Sequence, residues 1–445
     1  MVTVFMQRAS RAWRAPGRWA RALACCACYA AVTGPGAQAQ ATLSLEQALR
    51  LAQDRSLQLP AQDSAASAAR EMAQAAGQLP DPVLKGALTN LPINGADRFS
   101  LTRDFMTMRS VGVMQEFTRE GKRAARTARF AREADAAKAG RAVALAGLRR
   151  DTAMAWLDRH YKERMLEVLQ AQRAEAALQI EAADSAYRGG RGSQADMFSA
   201  RSADAQIVDR IRQTELQIAT ARTRLARWVG AAADQALAAP PSLGALSLQP
   251  QHLESQLVHH PELALMARRE DMARAEADIA MSNKQTDWSL ELMYSQRGPA
   301  YSNMVSINVA VPLQWDPQER QDRDVTARLA MAEQMRALRE ETTREHLSET
   351  RTWLQEWQSN RDRLAHYDKA LIPLAGERTR AALAAYRGGS GALAAVLEAR
   401  RMEIDMRLDR LRLETDTAGL WARLEYLIPP EQDAAASDRP AHPQR

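Results

Sequence analysis

Few side chains in this sequence have the types and spacing that catalysis or tight metal binding requires. His259 and His260 are the only adjacent pair among seven histidines, and imidazole nitrogens are common ligands of Zn²⁺ and Cu²⁺. They precede Pro261 at the start of a predicted helix, and the spacing identifies no partner for them, so the pattern favours a surface pair over a metal site. We therefore predict no metal site and no cofactor.

The sequence also lacks the local signatures of enzymes. It has no nucleophile elbow, phosphate-binding loop, HExxH motif or carboxylate pair in a supporting context. Cys25, Cys26 and Cys28 lie close together near the N-terminus, so the rest of the chain has neither a disulfide framework nor a cysteine-ligated metal. We predict that the protein is not an enzyme.

The charge of the chain is unevenly distributed. The formal net charge is +6 and the pI is near 9.4, which by itself suggests an anionic partner. Five arginines precede the first acidic residue, Glu46, and the remaining chain is nearly neutral. The composition therefore gives no reason to expect nucleic acid as a partner.

Residues 1–39 have the features of an export signal. A basic segment (8–21) precedes a short apolar run (22–32) and a small-x-small motif (37–39), and we predict cleavage after this motif. The apolar run is about half of the ~20 residues that a spanning helix needs, so a retained membrane anchor is disfavoured. Lipidation of Cys26 stays open, because its flanking residues faintly resemble a lipoprotein cleavage site.

The rest of the chain is duplicated. Residues 186–190 (AYRGG) recur unchanged at 385–389, and residues 127–129 (TAR) recur at 326–328, both at an offset of 199 residues. Several ordered matches at one offset indicate an internal repeat. The predicted organisation is a signal peptide (1–39), a first repeat (40–230), a linker (231–249), a second repeat (250–428) and a polar C-terminal tail (429–445).

Each repeat is predicted to contain a helix, a β-hairpin, a very long helix, a glycine-rich turn and a returning helix. The fold class is thus mainly α with a small β part. A long helix would extend about 100 Å, at 1.5 Å per residue, and apolar residues at 3/4 spacing indicate that it pairs with the returning helix as a coiled coil. The predicted bounds are 44–79, 83–117, 119–187 and 193–229 in the first repeat, and 250–285, 288–315, 319–387 and 391–427 in the second.

The hairpins have the length and alternation of barrel strands. Apolar side chains alternate with polar ones along 288–315, and strands of about 9–11 residues cross a bilayer in a barrel. Trp288 and Trp315 would lie at the same end of the hairpin, where aromatic belts form. The first hairpin is less regular, because Arg109 and Gln115 share its apolar face. A half-buried hairpin of a soluble protein alternates in the same way, but four strands between such long helices have no core of their own.

Taken together, these features resemble the TolC family of outer-membrane efflux channels over about residues 43–428. The turn motif 187–190 and its copy at 386–389 are similar to the family's periplasmic tip. Four further segments resemble the heavy-metal branch, which serves copper/silver or cobalt-zinc-cadmium pumps: 80–84 (PDPVL), 90–92 (NLP), 112–117 (GVMQEF) and 121–123 (GKR).

The resemblance implies a homotrimer in the cell outer membrane that extends into the periplasm. Its twelve-stranded β-barrel, with four strands per chain in contact with outer-membrane lipid, would continue as an α-helical periplasmic barrel. The tip would dock a periplasmic adaptor (a membrane fusion protein) and, through it, an inner-membrane RND-type pump. The implied docking residues are Tyr187, Arg188, Gly189, Gly190, Tyr386, Arg387, Gly388 and Gly389.

The resemblance also implies acidic rings that narrow the tip. The aligned carboxylates are Asp196 and Glu398, while Ala395 replaces a carboxylate that the family often has. Such rings would favour cations, although an acid near a helix N-terminus is also explained by the helix dipole. The expected function is a passive conduit for metal cations or drugs, and the alternative is a periplasmic coiled-coil adaptor or scaffold without a pore.

Overall fold

The structure is a computed structural model, and it describes residues 42–190, 192–248 and 250–428. The predicted export signal, Cys26 and the polar tail (429–445) lie outside the described residues.

The described chain is mainly helical, with one small sheet, and its elements follow the duplicated order. The helices are α1 (Leu45–Arg55), α2 (Gln58–Ala76), α3 (Glu120–Arg188), α4 (Gln194–Val229), α5 (Leu253–Leu257), α6 (Pro261–Ser282), α7 (Gln321–His366), α8 (Ile372–Arg387) and α9 (Leu393–Glu425). The strands are β1 (Val83–Thr89), β2 (Met108–Phe117), β3 (Trp288–Gln296) and β4 (Met304–Ala310).

The first helix of each repeat is interrupted where the sequence analysis expected one continuous helix. The breaks separate α1 from α2 and α5 from α6. In each case a proline, Pro60 or Pro261, lies in the first turn of the second helix. Proline has no backbone N–H and is accepted in a first turn, where that N–H has no helical partner.

The second long helix is also interrupted, whereas α3 runs unbroken for 69 residues. Between α7 and α8 lies a π-helical segment, Tyr367–Leu371, which ends two residues before Pro373. Pro373 cannot donate to the carbonyl of Lys369, and its ring crowds that carbonyl. The backbone adapts by a wider turn, in which the Ile372 N–H bonds to the Tyr367 carbonyl.

The largest apolar core lies where the two repeats and the linker meet. Trp156 of α3 is fully buried, and its Nε1 donates to the Leu43 carbonyl oxygen at 3.1 Å. Trp421 of α9 belongs to the same core and donates to the Ala245 carbonyl at 3.0 Å. Buried Arg159 donates to the Ala233 carbonyl at 2.6 Å. Side chains from both repeats thereby fix the backbone of the linker.

Beyond this core the helices pack through narrow apolar seams. α3 contacts α2, α4, α6 and α9. A second cluster joins Leu169 of α3 to Ile211 of α4 and Ile404 of α9. Near the turns, α3 and α4 pack through small buried residues such as Ala183 and Ala200. Alanine lets helix backbones approach closely, which agrees with the low aromatic content of the chain, 5%.

A buried ion pair joins the helices to the sheet. Lys122 of α3 donates to Asp287, which directly precedes β3, at 2.8 Å, and both side chains are largely buried. The backbone N–H of Arg119 donates to the other oxygen of Asp287 at 3.0 Å. The two repeats are thus linked at the base of the sheet by a paired and hydrogen-bonded charge.

Among the described helices, none combines the length and the apolar character needed to cross a membrane.

We predict that Trp156 is the most costly core position to truncate. Trp156→Phe removes the hydrogen bond to Leu43 and lowers the free energy of unfolding by about 1 kcal/mol, while Trp156→Ala also leaves a cavity and costs about 3–5 kcal/mol. The change is measured by chemical denaturation in detergent. Trp315→Phe is the control, because Trp315 is 89% exposed. Equal midpoints for Trp156→Ala and the wild type would contradict this role.

Candidate functional site: an exposed sheet and two helical tips

The four strands form one antiparallel sheet in the order β1-β2-β3-β4. Each predicted hairpin is present, and the two hairpins pair with each other through β2 and β3. In this register Val113 lies opposite Leu292, and Phe117 lies opposite Trp288. The sheet is therefore built jointly by the two repeats.

One face of the sheet is apolar and exposed. In β4 the side chains of Val305, Ile307 and Val309 are 62–69% exposed. The register places the same face of the other strands beside them. Its further apolar members are Leu84, Leu88, Val111, Val113, Phe117, Trp288, Leu290, Leu292 and Tyr294. As the sequence analysis expected, Arg109 and Gln115 share this face.

The opposite face carries the charged and hydroxyl side chains of the sheet together with several methionines, and it is the less exposed face in β2 and β3. Lys85 and Glu291 form an ion pair at 3.1 Å across β2, and the hydroxyls of Ser110 and Ser295 lie 2.8 Å apart. Gly112 of β2 lies opposite Met293 of β3. A Cβ added to Gly112 would lie 2.8 Å from the Leu292 carbonyl oxygen. A soluble protein buries its apolar face and exposes the polar one; this sheet shows the reverse.

Both edges of the sheet are open within the described chain. β1 pairs only with β2, and β4 pairs only with β3. An edge strand leaves a row of backbone N–H and C=O groups unpaired, and such a row readily pairs with another chain. The sheet can therefore pair with a strand of another chain at each of its two edges, β1 and β4.

The strand lengths differ from those expected. β2 and β3 have 10 and 9 residues, but β1 and β4 have only 7 each. The prediction that the last strand continues to Trp315 was wrong, because β4 ends at Ala310. Ala310 pairs with Ser289, and β3 begins one residue earlier at Trp288, so β3 offers no partner to residues beyond 311. Trp288 stacks on Phe117 with ring centroids 4.3 Å apart, whereas Trp315 lies four residues beyond position 311 and is almost fully exposed.

The glycine-rich turns are two copies of one structure. Gly190 and Gly389 have left-handed backbone conformations, with φ of 67° and 74°, which glycine adopts without strain. The N–H groups of Gly189 and Gly388 each bond to the carbonyl four residues earlier. An added Cβ at Gly192 would lie 3.1 Å from Ala186 Cβ. Each turn thus closes the end of a helix tightly before the returning helix begins.

The remaining predicted tip residues lie at the ends of α3 and α8. Tyr187 is exposed, while Tyr386 packs against the small apolar cluster at the tip. Arg188 pairs with Asp184 at 2.6 Å. Arg387 is exposed in the last turn of α8. The two tips therefore place the same Tyr and Arg side chains in different surroundings.

Asp196 caps its own helix. It forms a capping box with Ser193: the Ser193 N–H donates to Asp196 Oδ2 at 3.0 Å, and the Asp196 N–H donates to Ser193 Oγ at 3.1 Å. Hydrogen bonds from the side chain and backbone of Ser193 lower the pKa of Asp196. In the second tip Ala392 and Ala395 occupy the corresponding positions, and α9 has no side-chain cap.

Glu398 and Asp196 occupy different positions along the returning helices of the two repeats. At the repeat offset of 199 residues, Asp196 corresponds to Ala395, and Glu398 corresponds to Ser199. Glu398 is exposed, and its Oε1 lies 3.9 Å from Arg378 Nη2. The two carboxylates are therefore not two copies of one position.

Away from both regions, the structure brings together three residues that the sequence analysis did not connect. The prediction that His260 belongs to a surface pair without partners was wrong: His260 is 7% exposed, and its ring lies 4.5 Å from that of His346 on α7. His346 Nε2 lies 3.2 Å from Glu262 Oε2. No local signal could have revealed this cluster, because His346 is distant in the sequence.

Comparison with known proteins identifies the fold. No family model and no curated protein matches the sequence. The outer-membrane protein VceC of Vibrio cholerae is 18% identical, with a TM-score of 0.71, over 86% of this chain and 95% of VceC. The chain has the fold of a TolC-like outer-membrane channel.

Two further solved structures agree. A membrane protein from Pseudomonas aeruginosa is 17% identical, with a TM-score of 0.75, over 86% of this chain and 90% of that one. The outer-membrane channel MtrE of Neisseria gonorrhoeae, in its open state, is 16% identical, with a TM-score of 0.69, over 86% and 88%.

We predict that Gly112 is required for the close approach of β2 and β3. Gly112→Ala places a methyl group against the Leu292 backbone and destabilises the sheet by about 1–3 kcal/mol. Gly86→Ala is the matched control, because an added Cβ there meets nothing within 4 Å. Amide hydrogen exchange in peptides from β2 and β3 measures the effect. Equal exchange in the two variants would contradict the steric role.

Proposed function

We propose that the protein is the outer-membrane channel component of a tripartite efflux system, anchored in the cell outer membrane and extending into the periplasm. The observation that carries the proposal is the inverted sheet, whose apolar face is exposed and whose polar face is the less exposed. Lipid satisfies the apolar face in a transmembrane barrel, and a watery lumen satisfies the polar one. The long helical hairpins then extend from the sheet on one side.

The proposed assembly is a homotrimer. Four strands cannot close a barrel, because the smallest transmembrane barrels have about eight. β1 and β4 are both open, so β1 of one chain can pair with β4 of the next in a head-to-tail ring. Three chains would then give twelve strands, as in the trimer that the family resemblance implies. Trp288 and Trp315 are proposed to lie at the membrane interface.

The helical tips are proposed to dock a periplasmic adaptor, which connects the channel to an inner-membrane RND-type pump. Each tip ends in a tight glycine turn that leaves few side chains between the backbone and a partner. Exposed Tyr187 and Phe198 add apolar surface at the first tip. The channel itself is proposed to be a passive conduit and not an enzyme.

The proposed cargo is metal cations or drugs, with metal cations as the first class to test. The support for metals is the similarity of four segments, including 80–84 and 112–117, to the heavy-metal branch. A strain that lacks the gene is expected to become sensitive to the transported class. Sensitivity to drugs alone would remove the metal assignment and leave the channel assignment intact.

We predict that the purified protein forms heat-resistant trimers, sediments with outer membranes and conducts ions in planar lipid bilayers. Ile307→Arg places a charge on the proposed lipid face and costs about 2–4 kcal/mol per chain at mid-membrane depth, so it reduces the amount of membrane-inserted trimer. Asn308→Arg is the matched control, because the neighbouring residue faces the other side of the sheet.

The same experiment separates the channel from an adaptor or scaffold without a pore. Soluble periplasmic protein, an absence of conductance or equal insertion of the two variants would each contradict the channel proposal.

We further predict that the tip carboxylates limit ion flow. Asp196→Asn combined with Glu398→Gln removes two negative charges per chain while keeping hydrogen-bond acceptors, and we expect a higher resting conductance and weaker block by divalent cations. Glu181→Gln is the control, because Glu181 is an exposed carboxylate of α3 outside the turn. Single-channel recording measures both effects. Unchanged conductance in the double variant would remove the gating role.

A further inference from the structure

We propose that His260, Glu262 and His346 form a binding site for a divalent transition-metal cation. The site links the first turn of α6 to the middle of α7. It is distinct from the sheet and from the tips, and it does not depend on the proposed channel function. The three residues each offer one ligand atom, and these atoms all lie within 4.8 Å of one another.

The distances suit coordination after a small adjustment. Ligands at about 2.0–2.2 Å from a tetrahedral Zn²⁺ ion lie about 3.4 Å from each other. Glu262 Oε2 and His346 Nε2 already have a similar separation, 3.2 Å. Glu262 is exposed and His346 is half-buried, so their side chains can close the remaining gap by rotation.

His260 is held in place and is uncharged at neutral pH. It is the N-cap of α6, and Pro261 fixes the backbone that follows. Burial, with a smaller contribution from repulsion by His346, lowers the pKa of His260 to about 4. Neutral imidazole is the form that binds metals. Its Nδ1 accepts a hydrogen bond of 3.3 Å from the Glu262 N–H, which is long. A neutral imidazole has one lone pair, so metal binding would replace this bond.

The surroundings favour a cation. The cluster opens into a cleft of about 680 Å³, lined also by Glu349, a second carboxylate one helical turn after His346. The two arginines of the cleft each have a partner in its lining: Arg150 pairs with Asp151 at 2.9 Å, and Arg423 lies over the ring of Trp353 at 5.6 Å. The open side leaves room for water to complete the coordination.

The first repeat provides an internal comparison. When the repeats are aligned on the prolines in the first turns of α2 and α6, Leu59 and Ala61 stand where the second repeat has His260 and Glu262. At the offset of 199 residues, Gly147 stands in place of His346. The duplicated scaffold therefore forms without any of the three ligands, and all three occur together in the second repeat.

The ligand set selects the class of metal. Two imidazoles and a carboxylate suit Zn²⁺, Cu²⁺, Ni²⁺ or Co²⁺. Ca²⁺ and Mg²⁺ prefer oxygen ligands alone, and the cluster has no sulfur to favour Cu⁺. A bound cation would brace α6 against α7 and stabilise the folded chain in proportion to the logarithm of its concentration.

The test is Zn²⁺ binding to the full-length protein in detergent, purified without a polyhistidine tag and stripped by a chelator. We expect one Zn²⁺ per chain by calorimetry and elemental analysis, a rise in Tm on adding Zn²⁺, and no rise with Mg²⁺. His346→Gln is expected to weaken binding by about tenfold or more. His259→Gln is the control, because this adjacent histidine is exposed and leaves the cluster intact.

Several outcomes would overturn the site. These are no saturable Zn²⁺ binding to the wild type, equal binding by His346→Gln and the wild type, or equal loss with His259→Gln. Glu262→Gln provides a second variant, at an exposed position, in case His346→Gln impairs folding. Electron paramagnetic resonance of bound Cu²⁺ should show two nitrogen ligands in the wild type and one in His346→Gln. A protein without conductance could still bind Zn²⁺, so the two proposals fail separately.

Discussion

The structure depends on one constraint: exposing the apolar face of the four-stranded sheet to water is energetically unfavourable. Val305, Ile307 and Val309 are exposed together, and the strands at both edges retain unpaired backbone groups. Burying apolar surface is the main favourable term in folding, so a sheet of this kind is completed by something outside the chain. In the proposed trimer, lipid on the apolar face and neighbouring chains at the edges meet both needs at once.

The helices are attached to this sheet by a small number of polar contacts at its base. Lys122 and Asp287 form a largely buried ion pair, and Asp287 also accepts from the backbone N–H of Arg119. A buried charge without its partner is costly, which fixes the junction between the first long helix and the third strand. Farther along, Arg159 of the first repeat and Trp421 of the second donate hydrogen bonds to the backbone of the linker. The sheet, the junction and the linker core are thus successive points at which the two halves of the chain are joined.

The repeats share a scaffold and differ in the side chains placed on it. Both tips use glycines in left-handed conformations, but only the first carries a capping box, formed by Ser193 and Asp196. The second repeat has Pro373 and a π-helical segment, which α3 lacks. It also has the His260 cluster at positions where the first repeat has apolar or small residues. Duplication explains the common backbone, and the departures from it mark the places where a particular chemistry is proposed.

The sequence alone determined the long helices, the glycine turns and the alternating strands, because each depends on residues close together in the chain. It also showed the repeat, because matching segments recur at a fixed offset. Proline, glycine and hydrophobic periodicity act over a few residues, so their effects can be recognised without a structure. The tertiary structure decided the pairing of β2 with β3 and the early end of β4 at Ala310. It also decided that His260 is buried beside His346. These features depend on which distant segments meet, and contacts between helices and strands far apart in sequence leave no local pattern from which they could be predicted.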